Sequence, residues 1–141
     1  MTLVFKYAER NESGRTWKAP FIPVYVRDKN GNNMIVQALI DSGADGVIIP
    51  KIMAEFFGLE EGAISKSQGI GGVVTVKKSR ITLTVNNENE SYTLKLPARI
   101  LQNEQSDIPM LLGRDVFFDH FHITFKQNEE TIILERAEHG S

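Results

Sequence analysis

The stretch Gln37–Pro50, QALIDSGADGVIIP, sets two short runs of buried-type strand residues, Ala38–Ile40 and Val47–Ile49, on either side of a turn that carries two carboxylates, Asp41 and Asp45. Asp is common in turns because its side chain accepts hydrogen bonds from amides two residues on. Here, however, the residues beyond the turn are again strongly apolar. The turn is therefore expected between two interior strands and not at a solvated tip. A carboxylate held in such a place needs donors around it or must take up a proton.

The remainder of the chain reads as short strands divided by turn signals, which predicts an all-β fold. Thr2–Ala8 is a candidate first strand, and the polar segment 9–19 reads as a loop or arm in which Trp17 is anchored by packing. Phe21–Arg27 follows, with Pro20 and Pro23 confining it to a sheet edge or to its own beginning. Asn30-Gly31, inside the polar cluster DKNGNN, predicts a hairpin into Met34–Ile40. Pro50 and Gly58 bracket a short helix whose residues Ile52, Met53, Phe56 and Phe57 share one broad apolar side, with the aromatic pair Phe56-Phe57 expected in the core. Glycines break the chain at SQGIGG. Strands are expected again through SRITLTV, SYTLKLPARI, Met110–Leu112, Ile123–Phe125 and Thr131–Glu135, with a helix of about two turns over RDVFFDHF. No internal repeat or long linker divides the chain, so residues 1–141 are expected to form a single domain with one or two short helices.

Composition narrows the chemistry. A chain of 141 residues can bury a core without staples. It has no cysteine, which excludes disulfides, thiolate metal sites and cysteine nucleophiles. Sixteen basic and 18 acidic residues leave a formal charge of -2, and no basic cluster exceeds Lys77-Lys78, so no nucleic-acid partner is expected. No apolar run approaches the length of a membrane span, and MTLVFKYAER turns charged too soon for a signal peptide. The protein is expected to be cytoplasmic, with no membrane association. Asp41 and Asp45 lack the further oxygen donors and closing Glu of a calcium loop, and His120, His122 and His139 have no zinc spacing. No metal and no cofactor are expected. One interior Asp-Ser-Gly can do chemistry most economically by facing its own copy from a second subunit. Two carboxylates a few Å apart share one proton, which leaves one as general base and the other as general acid.

LIDSGAD, Leu39–Asp45, resembles the catalytic Asp-Thr/Ser-Gly-Ala signature of the retropepsin-like aspartic proteases, the single-lobe, homodimeric relatives of pepsin. MLLGRD, Met110–Asp115, is similar to that family's second marker, two apolar residues and a glycine followed by Arg-Asp and a short helix. GIGG, Gly69–Gly72, is similar to the glycine-rich part of its flap hairpin. The likeness extends from about residue 21 to residue 125, and the longer helix after Pro50 looks more like cellular and microbial members than retroviral ones. Val47 stands where many members keep Thr or Ser. The terminal strands have no match to the interleaved dimer sheet of the retroviral enzymes.

The resemblance implies a closed, barrel-like β lobe, a homodimer, and an extended peptide or unfolded protein as substrate. It makes Asp41 the catalytic aspartate, Ser42 the hydroxyl that braces the two active-site loops, and Gly43 a position of close backbone and substrate contact. Ala44 and Asp45 match residues lining the cleft, and Arg114 matches an arginine that pairs with Asp45 and supports the dimer. Leu111, Leu112 and Gly113 match the segment through which the catalytic loop is threaded, and Gly69, Ile70, Gly71 and Gly72 match the flap. The activity implied is aspartic endopeptidase. The alternative is a non-catalytic peptide-binding or dimerisation module of the same fold.

Overall fold

The computed structural model describes residues 2–69, 72–103 and 108–137, and the side chains of all of these except 12 and 67–69. Strand β1 (Thr2–Lys6) is followed by a hairpin of β2 (Ala8–Glu12) and β3 (Arg15–Ala19). Then come β4 (Phe21–Arg27), β5 (Asn33–Ile40), β6 (Val47–Ile49), helix α1 (Lys51–Phe57), β7 (Ile64–Gly69), β8 (Gly72–Asn86), β9 (Ser91–Leu101) and β10 (Met110–Leu112). A 3₁₀ turn (Phe117–His120) leads into β11 (Phe121–Lys126), and β12 (Thr131–Arg136) is the last strand described.

Six strands close on themselves in the order β4-β5-β10-β6-β9-β8, with β8 returning to pair with β4 at Tyr25↔Thr84 and Val26↔Leu83. The β4–β5 hairpin is antiparallel in the register Val24↔Val36, and its turn forms as the Asn-Gly pair predicts. Asp28 Oδ1 accepts from the amides of Asn30 and Asn32, both at 2.9 Å, while Gly31 takes a φ of 83°. Alternation along the strands points Ile22, Val24, Val26, Ile81, Leu83, Val85, Leu94, Leu96 and Ile100 inward onto Phe57 and Phe117. β4 has a second neighbour, β8, only at Tyr25 and Val26. Pro23 lies before these, where only β5 is its neighbour, so no second ladder needs the amide it lacks.

Beneath the barrel β1, β12 and β11 form a three-stranded antiparallel sheet in that order. Leu3, Ile132 and Leu134 of this sheet are fully buried and join the same core as Phe117 and Phe121.

Three sequence expectations are corrected. The segment 9–19 is not an irregular arm: β2 and β3 pair over Ala8↔Ala19 to Glu12↔Arg15, turned by Ser13 and Gly14 at φ of 51° and 80°. Both central residues lie at positive φ, as a tight hairpin that follows strand twist requires. Trp17 packs its ring 6.0 Å from that of Phe21 but remains 42% exposed. RDVFFDHF makes only a single 3₁₀ turn before its aromatics are drawn into the core and β11 begins. In α1 the inward face is Ala54 and Phe57, three residues apart, whereas Ile52 and Phe56 turn outward and are 67% and 68% exposed. They line an open apolar groove of about 320 Å³ with Met34, Ile35, Val36 and Met53. The helix ends as expected on Gly58, left-handed at φ 69°, with Gly58 and Leu59 amides donating to Glu55 and Ala54 carbonyls.

Candidate active site

The loop from Asp41 to Gly46 is held from below by the chain around Gly113. β5 and β10 run parallel, with Leu112 beside Ile40, and the Asp41 amide donates to the Leu112 carbonyl at 3.0 Å. On the other side the Ile40 amide donates to the Pro20 carbonyl at 3.1 Å. Beyond the acid, Arg114 N donates to Ala44 O at 3.1 Å and Asp115 N to Asp45 O at 2.7 Å, and Gly46 forms a parallel bridge with Asp115. Gly113 is obligatory in this lacing: a Cβ there would stand 2.5 Å from the Ala44 carbonyl oxygen and 2.8 Å from the Gly46 amide nitrogen, both backbone atoms. At Gly46 a Cβ would meet the Asp115 carbonyl at 2.7 Å.

Within the loop, Asp41 Oδ1 accepts from the Gly43 amide at 2.8 Å and the Asp41 carbonyl accepts from Ala44 N at 3.2 Å. The carboxylate is half-buried. Its second oxygen meets no donor among the described residues. Ser42 and Gly43 are exposed beside it, and Ala44 is buried. Asp45 Oδ1 accepts from Arg114 Nη2 at 2.8 Å, and Arg114 Nε reaches the Ala44 carbonyl at 3.5 Å. The two acids of the loop thus differ in surroundings: among the described residues Asp45 has a guanidinium, and Asp41 has one backbone amide.

Leu112 and Gly113 are buried in the threaded segment, and Leu111 is half-buried opposite Ile48 of β6. Around that pair Ile48, Val76 and Leu101 form a second, smaller apolar cluster with Val74, Ile108 and Leu111. It joins Val74 and Val76 of the β7–β8 hairpin to Leu111, two residues before Gly113. That hairpin runs in register from Ile64↔Lys77 to Gly69↔Gly72, with Gly72 at φ 108°. Ile70 and Gly71 lie outside the described residues. A cavity of about 530 Å³ behind the loop is lined by Gly46, Val47, Asp115, Lys78, Arg80 and Arg99 among others, but Asp41 is not on its wall. Among the described residues no cluster of three metal-binding side chains occurs, and no helix is long and apolar enough to cross a membrane.

Sequence reasoning did not single out Asp115 or Pro20. Asp115 acts through its backbone, which leaves no side-chain signal beyond its place after Gly113-Arg114. The Pro20 contact depends on the β4–β5 register bringing two distant segments together.

A closed β lobe carrying an Asp-Ser-Gly loop threaded by a Leu-Leu-Gly-Arg-Asp segment defines an aspartyl-protease type of protein. The family model described as "gag-polyprotein putative aspartyl protease" matches residues 28–118, and the chain belongs to that family. Among solved structures it is similar to the EIAV protease in complex with the inhibitor HBY-793, at 23% identity and a TM-score of 0.45, over 72% of this chain and 88% of that one. No curated protein matches.

Proposed function

We infer that the protein is an aspartic endopeptidase whose active site is completed by a second copy of the chain. The observation that carries this reading is the half-buried Asp41 carboxylate, fixed through one oxygen by Gly43 N at 2.8 Å while its other oxygen meets no donor among the described residues and the neighbouring Ser42 and Gly43 are exposed. One chain supplies one such acid. Facing a second Asp41, it shares a single proton, because two carboxylates a few Å apart do not both ionise cheaply.

The ionised Asp41 then takes a proton from a water held between the two acids, and the water oxygen bonds to the scissile carbonyl carbon. The protonated Asp41 gives its proton to the carbonyl oxygen. As the gem-diol collapses, one of its hydroxyls gives a proton to the Asp41 that is now ionised while the other, now protonated Asp41 gives its proton to the departing amine nitrogen as the C–N bond breaks, so the pair again holds one proton. The substrate is an extended peptide or unfolded segment, bound by main-chain hydrogen bonds along the loop and the β7–β8 hairpin. The apolar cluster around Ile48 and Leu111 favours apolar side chains near the scissile bond. Arg114, by holding Asp45, positions the loop and does not touch the reacting atoms. Closure of the hairpin over the peptide excludes bulk water.

Asp41→Asn, assayed on an unstructured polypeptide beside the parent, is expected to lower cleavage by roughly 10²–10⁴-fold. Parent activity is expected on the acidic side of neutrality, with both limbs of the rate profile belonging to the coupled pair. Equal cleavage by parent and variant would end the proposal, and a parent that binds peptides without cutting them would point to the binding-module alternative.

A further inference from the structure

We propose that Trp17, on the β2–β3 hairpin, is a specificity-determining residue of the Asp41 site, taking a large apolar or aromatic substrate side chain about four residues from the scissile bond. This rests on the reading of the site as one that binds an extended peptide, and it names a side chain of that peptide which the site selects. Trp17 is the chain's one tryptophan, and its ring is 42% exposed. A single exposed apolar residue is ordinary on a protein surface. Trp17 differs in being joined to the acid by a run of adjoining side chains.

Strand phase sets the first part of that run. β4 and β5 pair in the register Phe21↔Leu39 and Ile22↔Ala38, and alternation sends Ile22, Ala38 and Ile40 into the barrel. Phe21 and Leu39 therefore stand side by side on its outer face. The Ile40 amide donates to Pro20 O, which makes Phe21–Leu39 a non-bonded pair, the kind whose side chains approach more closely. The Asp41 amide donates to Leu112 O of β10, so the alternation of β5 extends one position further. Asp41 falls on the face of Leu39.

The hairpin supplies the rest. Phe21 faces away from the barrel interior, yet it is only 3% exposed, because β2 and β3 cover it. Trp17 and Arg10 are directly opposed across the two strands and so share one face of the hairpin. That face rests on Phe21: the Trp17 ring lies 6.0 Å from the Phe21 ring, and the Arg10 guanidinium carbon lies 5.7 Å from its centre. On the opposite face Lys18 reaches Glu130, one residue before β12, at 3.8 Å. The hairpin is held from both sides, and Asp41, Leu39, Phe21 and Trp17 follow one another along the outside of the lobe.

Their spacing fixes where on a substrate Trp17 acts. From Asp41 back to Leu39 is about 7 Å along β5, and the step across to Phe21 is about 5 Å. The Trp17 ring is a further 6.0 Å away. Since the path bends at Leu39, acid and ring stand about 13 Å apart, the span of about four residues of extended peptide. A large apolar side chain laid on the exposed part of the indole buries both, which favours Phe, Tyr, Leu or Met over small or charged residues. Two copies related by a two-fold axis each contribute a hairpin, so the preference falls on both sides of the scissile bond. The α1 groove, by contrast, lies against Met34, Ile35 and Val36, at the end of β5 remote from the acid.

The test uses two short unstructured peptides free of tryptophan, with a central Leu-Leu bond and either Phe or Ala four places from it on both sides. Parent kcat/KM is expected to favour the Phe peptide by about tenfold, Trp17→Ala to bring the ratio close to one, and Trp17→Phe to keep most of it. Because removing the indole also uncovers Phe21, emission from the single tryptophan provides a second arm on a chain with Trp17 in place. Titrating Asp41→Asn with the Phe peptide is expected to shift that emission to the blue, and the Ala peptide to shift it less. An unmoved emission, a ratio unchanged in Trp17→Ala, or a Trp17→Ala chain that sediments as a monomer beside a dimeric parent would overturn the assignment. A blue shift in a protein whose parent cuts neither peptide would end the catalytic reading and leave the subsite standing. Asp41-dependent cleavage with an unmoved emission would do the reverse.

Discussion

Between Asp41 and Asp115 the chain closes its own backbone: Asp41 N on Leu112 O, Arg114 N on Ala44 O, Asp115 N on Asp45 O, with Gly113 filling a gap too small for any Cβ. Along β11 the opposite holds. The ladder to β12 is complete, but the outer groups of Ile123 and Phe125 meet no backbone partner in the described chain, and a phenylalanine ring stands 41% exposed beside them. In the first region the backbone finds its partners within the chain; along the outer side of the second it finds none among the described residues. The position of the acid is therefore determined by the chain's own backbone, while β11 is left with an open edge.

If the lacing is what fixes Asp41, the largest effect on stability comes from Gly113→Ala. The added methyl meets only backbone, and overpacking of that kind costs about 3 kcal/mol. Urea unfolding is expected to show the lowered midpoint, and an unchanged midpoint would mean that the loops are looser than the contacts indicate. Arg114→Lys sharpens the contrast more gently. Its pair with Asp45 has side chains 57% and 37% exposed, so the loss of stability should stay within about 1 kcal/mol. Lysine keeps the charge but cannot span both Asp45 and the Ala44 carbonyl, so cleavage should fall by more than the stability change accounts for. Equal losses in both would deny the loop its positioning arginine.

The smallest effect belongs to the other region, where Tyr7 closes the end of the terminal sheet. Its ring is buried, its hydroxyl donates to Gln127 Oε1 at 3.2 Å, and burial, then the nearby Glu130 charge, raise its pKa above the ordinary 10.0. An acid with a raised folded-state pKa contributes stability that is fully present below the unfolded value and lost as pH climbs through the folded one. Melting temperature should therefore drop from about pH 10 upward in the parent and drop less in Tyr7→Phe, which gives up about 1 kcal/mol at neutral pH. Parallel curves for the two proteins would place the alkaline loss elsewhere.

Much of this was legible in the residues because the relevant signals are local. Asn30-Gly31 announces its hairpin, Pro50 and Gly58 bracket their helix, and the apolar flanks of Asp41 foretell strands on both sides of the acid. The Asp-Ser-Gly and Gly-Arg-Asp segments could be matched to one family in order. The remainder depends on contacts between distant parts of the chain. The parallel pairings β5–β10 and β6–β9 have no turn between their strands to advertise them. β2 and β3 were missed because their mostly charged and polar residues show no apolar alternation, and only Ser13-Gly14 marks the turn. Phe56 looks like core by composition, yet a seven-residue helix has one inward face, and Ala54 and Phe57 occupy it.

The central claim, that each working site contains one Asp41 from each of two copies, is tested most directly by mixing. Parent protein at fixed concentration is allowed to exchange with added Asp41→Asn chain, and cleavage of an unstructured polypeptide is followed. With an equal amount of the variant, random pairing should reduce total cleavage to about half, and with a ninefold excess to about a tenth, since mixed dimers carry one acid. Cleavage that stays constant however much variant is added would contradict the account.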